Sequence, residues 1–254
     1  MRGISNNVAL VTGSGRGIGR AIATRLAEEG ATVAINDIEA ERAETTAEEL
    51  RAVGHDAFAA PADVTDLTDV QSTVDDILEQ EGQIDILVNN AGWDRVELFK
   101  DNDPEVWNRI IDINYRGQVN CARAVMDNMM ERETGKIIAI SSDAGRVGST
   151  GEAVYAGTKA GAIGFTKTLA RELARFDVQC NVISPGPTET PLLEEMQEET
   201  EIARKIHDGM ENHIPLGRKA KPEDIASGVA FFASSDADYV TGQVLSVSGG
   251  LTMC

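Results

Sequence analysis

Residues 8–42, VALVTGSGRGIGRAIATRLAEEGATVAINDIEAER, pass from an apolar run through a glycine cluster into an amphipathic stretch, then into a second apolar run that ends at Asp37. That order reads as strand, turn, helix, strand. Gly13, Gly17 and Gly19 let the backbone turn tightly and approach a diphosphate, which would lie on the positive N-terminal end of the helix that follows. The spacing is G-x-x-x-G-x-G, and it takes its meaning from the strand before it and the helix after it. Asp37 comes 18 residues after Gly19, at the end of the second strand, where a carboxylate can accept hydrogen bonds from both hydroxyls of an adenosine ribose. NAD is favoured over NADP there, because a 2′-phosphate would meet the Asp37 charge. Arg16 in the glycine loop partly offsets that repulsion. The competing reading of Asp37 is a capping residue, since DIEAER opens a helix.

The same alternation runs through the chain. Apolar strand candidates near 7–12, 32–36, 56–60, 84–89, 136–141, 179–184 and 243–247 alternate with helical stretches, the pattern of a doubly wound parallel sheet with right-handed crossovers and helices on both faces. The expected fold is α/β, a Rossmann-like single domain over residues 1–254, with no Pro/Gly/Ser-rich linker to divide it. One long insertion, 187–215, carries its own helical periodicity and is the expected substrate lid.

Tyr155 and Lys159 stand four residues apart in GEAVYAGTKAGAIGFTKTLARELARF (151–176), a long helical pattern that puts both side chains on one face. An ammonium beside a phenol stabilises the phenolate, so Lys159 is expected to bring Tyr155 into the range for proton exchange with an alcohol oxygen. A core tyrosine with a snorkelling lysine would give the same spacing. Ser142 follows the apolar run GKIIAIS, which places it at the carboxyl edge of a sheet, where open α/β folds bind ligands. Asn114 falls inside a helical stretch, 104–132, where an amide has poor propensity, as in a helix disturbed for function.

Taken together, TGSGRGIG (12–19), Asp63-Val64, NNAG (89–92), Asn114, Ser142, YAGTK (155–159) and PGPTET (185–190) resemble the short-chain dehydrogenase/reductase family over essentially the whole chain. The resemblance implies a tetrad of Asn114, Ser142, Tyr155 and Lys159. In it Tyr155 is the acid/base, Lys159 lowers its pKa and holds the nicotinamide ribose, Ser142 bonds the substrate oxygen, and Asn114 supports a proton-relaying water. It also implies cofactor contacts by Gly13, Arg16, Gly17, Ile18, Gly19, Asp37, Asp63, Val64, Asn90, Ala91, Gly92, Tyr155, Lys159, Pro185, Gly186 and Thr188. A homotetramer is the family's usual assembly.

Charge and composition narrow the rest. The net charge of −19, from 42 acidic residues against 23 basic ones, disfavours nucleic acid as a partner and suits a salt-rich cytoplasm. No apolar run reaches the roughly 20 residues of a membrane span, and MRGISNNVAL lacks the features of an export signal, so a cytoplasmic location is expected. Cys121, Cys180 and Cys254 have no paired spacing and read as reduced thiols; His55, His207 and His213 are scattered, so no metal is expected.

For the substrate, NNAGWD (89–94), SDAGRVGSTGEAVYAG (142–157) and TGQVLSVSGGLTM (241–253) resemble the 2-hydroxycyclohexanecarboxyl-CoA dehydrogenases. A 2- or 3-hydroxyacyl-CoA is the implied substrate, held by Ser142 and Tyr155, with Arg146 as a candidate contact to an acyl or phosphate group. The 3-oxoacyl-[acyl-carrier-protein] reductases share the skeleton. They usually carry arginines for an acidic carrier where this chain has Glu133 and Phe176. A non-catalytic NAD-binding sensor or scaffold is the reading from another class, and the complete tetrad speaks against it.

Overall fold

The computed structural model describes residues 1–199 and 201–253; Cys254 lies outside the described residues. Among them, β1 (Val8–Val11), β2 (Thr32–Ile35), β3 (Ala57–Ala59), β4 (Ile86–Asn89), β5 (Gly135–Ile140), β6 (Val178–Pro185) and β7 (Val244–Val247) form one 7-stranded sheet in the order β3-β2-β1-β4-β5-β6-β7. Every pairing is parallel, with Val8 opposite Thr32 and Ile137 opposite Cys180 setting the register at two of the joints. All the expected strands are present. The helices are α1 (Gly17–Glu28), α2 (Ala40–Ala52), α3 (Leu67–Glu81), α4 (Pro104–Ile111), α5 (Gly117–Arg132), α6 (Ala144–Val147), α7 (Ala153–Leu173), α8 (Pro191–Glu199), α9 (Glu201–Glu211) and α10 (Pro222–Ala233).

Alternating strand residues feed two core layers. Ala9 and Val11 of β1 pack with Ile22 and Leu26 of α1 and Ile225 and Val229 of α10 on one face. Val8 and Leu10 face the opposite way, toward Val74 and Ile77 of α3, Val125 and Met129 of α5 and Leu173 of α7. Cys121 and Cys180 belong to this second layer as free buried thiols, pushed up to about 12 by burial. Helix boundaries follow local chemistry: the Asp66 side chain caps the first N–H groups of α3, and Asp103 caps α4 with Pro104 behind it. No helix among the described residues is long and apolar enough to cross a membrane.

The chain order reverses between β1 and β4, where crossovers leave in opposite directions and open a crevice at the strands' carboxyl ends. The stretch expected as one helix over 104–132 is three pieces. Residues 112–116 are π-helical between α4 and α5, and Asn114 sits at their centre.

Candidate active site

A cavity of about 1050 Å³ follows the crevice. Every residue expected to touch a cofactor lines it, from Gly13 at one end to Thr188 at the other. Backbone geometry explains the glycine loop. Gly13 has φ +61, and a Cβ on Gly19 would lie 2.2 Å from the Gly13 carbonyl oxygen. α1 then begins with neither a side-chain cap nor an acidic residue in its first turn, which leaves its N–H groups available to a diphosphate. The loop after β4 is tied to this turn: Thr12 Oγ1 accepts the N–H groups of Asn90 and Ala91 at 2.9 and 3.0 Å, and Asn90 Nδ2 donates to the Thr12 carbonyl at 2.8 Å.

Asp37, 6% exposed, lines the cavity and accepts from Gly15 N–H at 3.2 Å and Glu39 N–H at 3.1 Å. Its carboxylate is thereby fixed at the end of β2. Arg42 also lines this end and pairs with Glu39 at 3.0 Å, a cation the sequence reading passed over. Arg16 reaches across to Glu195 of α8, with one contact at 3.0 Å, so the glycine loop is joined to the 187–215 segment. The donor set, free helix N–H groups and seated carboxylate fit a nicotinamide dinucleotide.

At the other end, Ser142, Tyr155 and Lys159 line the same cavity, with fully buried Asn114 behind them. Ser142 hydrogen-bonds Tyr155 and also accepts the Ala144 N–H at 3.1 Å. Lys159 donates to the Ile140 carbonyl at 3.0 Å and lies 5.4 Å from the Tyr155 ring centroid. Asn114 Nδ2 donates to the carbonyls of Trp93 at 2.6 Å and Ile110 at 2.9 Å.

The electrostatics differ from the sequence expectation. Burial above all, then the charges of Asp94 and Glu152, push the Tyr155 phenol up, and Ser142 is what pulls it down. Burial pushes Lys159 itself down to about 8. The charges that act on the phenol are thus those of the two carboxyls. Asp94 had drawn no attention in the sequence because its partner is far away in the chain.

Arg146 is not brought to the substrate end. Its guanidinium donates to Ser246 of β7, whose hydroxyl donates to Asp143 at 2.5 Å, and it does not line the cavity. That strand is about a hundred residues away, so nothing local announced it. Leu192, Met196 and Ile206 of the 187–215 segment do line the cavity, and Met196 and Ile206 pack with Val96 and Ala203 beside it.

Comparison with known proteins agrees with this geometry. A family model described as enoyl-(acyl carrier protein) reductase matches residues 13–252. The chain is similar to the 3-oxoacyl-[acyl-carrier-protein] reductase FabG of Staphylococcus aureus, 42% identical over 246 residues, covering 96% of this chain and 98% of that one. It is similar to the (2S)-[(R)-hydroxy(phenyl)methyl]succinyl-CoA dehydrogenase subunit BbsD of Thauera aromatica, 39% identical over 251 residues, covering 99% and 98%. The solved structure of a putative gluconate dehydrogenase from Agrobacterium tumefaciens superposes with a TM-score of 0.92 at 34% identity, covering 99% of this chain and 98% of that one. With motifs, sheet order and relatives in agreement, the chain belongs to the short-chain dehydrogenase/reductase family and is an oxidoreductase acting on CH–OH groups.

Proposed function

We propose that this protein is an NAD-linked dehydrogenase that interconverts a secondary alcohol and a ketone on a 2- or 3-hydroxyacyl-CoA thioester. The observation that carries the cofactor assignment is Asp37, anchored by two backbone N–H groups at the end of β2 and facing the cavity with a charge that a 2′-phosphate would oppose. A bound nicotinamide would supply the hydride acceptor. Ser142 orients the substrate oxygen and Tyr155 takes the hydroxyl proton. Lys159 holds positive charge beneath the site, and Asn114 behind it secures the backbone of Trp93. Residues 187–215 act as the lid, and their apolar side chains exclude water. The protein works as a cytoplasmic homotetramer.

The similarity to the Staphylococcus aureus reductase supports a second reading, reduction of a 3-oxoacyl carrier-protein thioester. Against it stand the exposed Glu133 at the end of α5 and Phe176 after α7, where a basic docking surface for an acidic carrier is expected, together with the net charge of −19. BbsD, by its name a CoA-thioester dehydrogenase, supports the first reading, and the putative gluconate dehydrogenase extends the substrate range toward polyhydroxy compounds. The test is NADH formation from cyclic and linear hydroxyacyl-CoA thioesters; NADPH-dependent consumption of 3-oxoacyl thioesters in its place supports the second reading.

A further inference from the structure

The Asp94 carboxyl is 3% exposed, and the backbone donor that acts on it is the N–H of Arg95. What it faces is the carboxyl of Glu152, to which it is hydrogen-bonded. Two carboxyls bond to each other only when one of them keeps its proton. Burial first, and the Glu152 charge second, push Asp94 up to about 8; burial raises Glu152 as well, opposed by Ser149 and by the bond from Asp94. The pair therefore holds one proton and one negative charge between its two carboxyls near neutrality.

That charge faces the reacting centre. Glu152 lines the cavity and occupies the N-cap position of α7 without capping it through its side chain, and Tyr155 is the third residue of that helix. Side chains at an N-cap and at the third helical position are neighbours, the pairing on which capping boxes depend. The surrounding loop is fixed: Glu97 N–H donates to the Gly151 carbonyl at 2.9 Å, and Val96 and Ile206 crowd Gly151. Lys159 is the cation that acts on Asp94 from below. Asp94 is buried while Glu152 is half-buried at the cavity, so Glu152 presents an acceptor on the same cavity lining as Tyr155.

We propose that Glu152, held by the proton it shares with Asp94, is the specificity-determining acceptor for a second hydroxyl on the carbon next to the one Tyr155 acts on. The substrate class is a vicinal diol, either free or as the dihydroxyacyl group of a thioester. The proposal rests on the alcohol-oxidising reading above and narrows it.

The experiment compares kcat/KM, with NAD and with NADP, for cyclohexane-1,2-diol against cyclohexanol and for 2,3-dihydroxybutyryl-CoA against 3-hydroxybutyryl-CoA. The expected preference for the dihydroxy partner in at least one pair is about tenfold or more, equivalent to about 1.4 kcal/mol. Glu152→Leu abolishes the preference, Glu152→Gln keeps part of it through the amide oxygen, and Asp94→Asn keeps it because the amide still donates to Glu152. Infrared difference spectra of the wild type against Asp94→Asn carry the band of a protonated carboxyl, a readout independent of turnover. Equal rates within both pairs, a preference that survives Glu152→Leu, or absence of that band overturns the proposal and leaves the alcohol-oxidising reading in place. Absence of NAD(P)-linked turnover on all four compounds overturns both.

Discussion

Asn114 grips Trp93 by both ends of its backbone unit, donating from Nδ2 to the Trp93 carbonyl at 2.6 Å and accepting the Trp93 N–H on Oδ1 at 3.3 Å. The grip is possible because the helix widens at 112–116 and turns Asn114 inward, fully buried. It fixes the loop that carries Asp94. Asn114→Ala strands buried backbone groups of Trp93, so thermal denaturation is expected to show a loss of about 1–3 kcal/mol. Activity should fall further than that loss explains. A variant with wild-type melting temperature and wild-type kcat would show the grip to be dispensable.

Gly19 has no room for a side chain. Gly19→Ala forces a Cβ against the Gly13 carbonyl at 2.2 Å and distorts the diphosphate loop. The expected result is loss of NAD binding by calorimetry, by at least about tenfold. Gly54→Ala serves as the contrast, a positive-φ glycine with open space around it, where only the backbone strain of about 1–2 kcal/mol applies and binding stays.

In the proposed function Asp37 sets the cofactor. Asp37→Ala removes the charge beside the ribose while Arg16 and Arg42 remain on the cavity wall. The NADP to NAD ratio of kcat/KM is expected to rise by about tenfold or more, the factor for about 1.4 kcal/mol. An unchanged ratio would place cofactor choice elsewhere.

Asp94 links stability to pH with a definite sign. Its carboxyl is raised from 3.8 to about 8, so the folded protein binds more protons than the unfolded one across that interval. Its contribution is fully present below the unfolded value and is lost as pH rises through about 8. Urea denaturation from acid to mildly alkaline pH should show the wild type losing ground to Asp94→Asn as pH increases. Parallel curves would mean that Asp94 ionises normally.

The sheet was legible because each strand is a short apolar run bounded by polar turns, from VALV in β1 to VLSV in β7. Tyr155, Lys159 and the glycine loop were legible because their partners are close in the chain. Arg146 was not, since Ser246 decides its direction from β7. The Asp94 and Glu152 pair was hidden for the same reason: each looks like an ordinary surface acid until the fold brings the loop after β4 against the start of α7. In the 104–132 helix, the misplaced amide of Asn114 signalled a disturbance, but its partner, the carbonyl of Trp93, lies in the loop after β4, beyond the reach of periodicity.

The most direct measurement is the initial rate of NADH formation from cyclic and linear hydroxyacyl-CoA thioesters, in wild type and Tyr155→Phe, beside NADPH-linked reduction of the matching 3-oxoacyl thioesters. The expected result is NAD-linked oxidation in the wild type that falls by about 10²–10⁴ in Tyr155→Phe, the range for a lost acid/base group. Dominant NADPH-linked reduction, or oxidation that survives Tyr155→Phe, would contradict it.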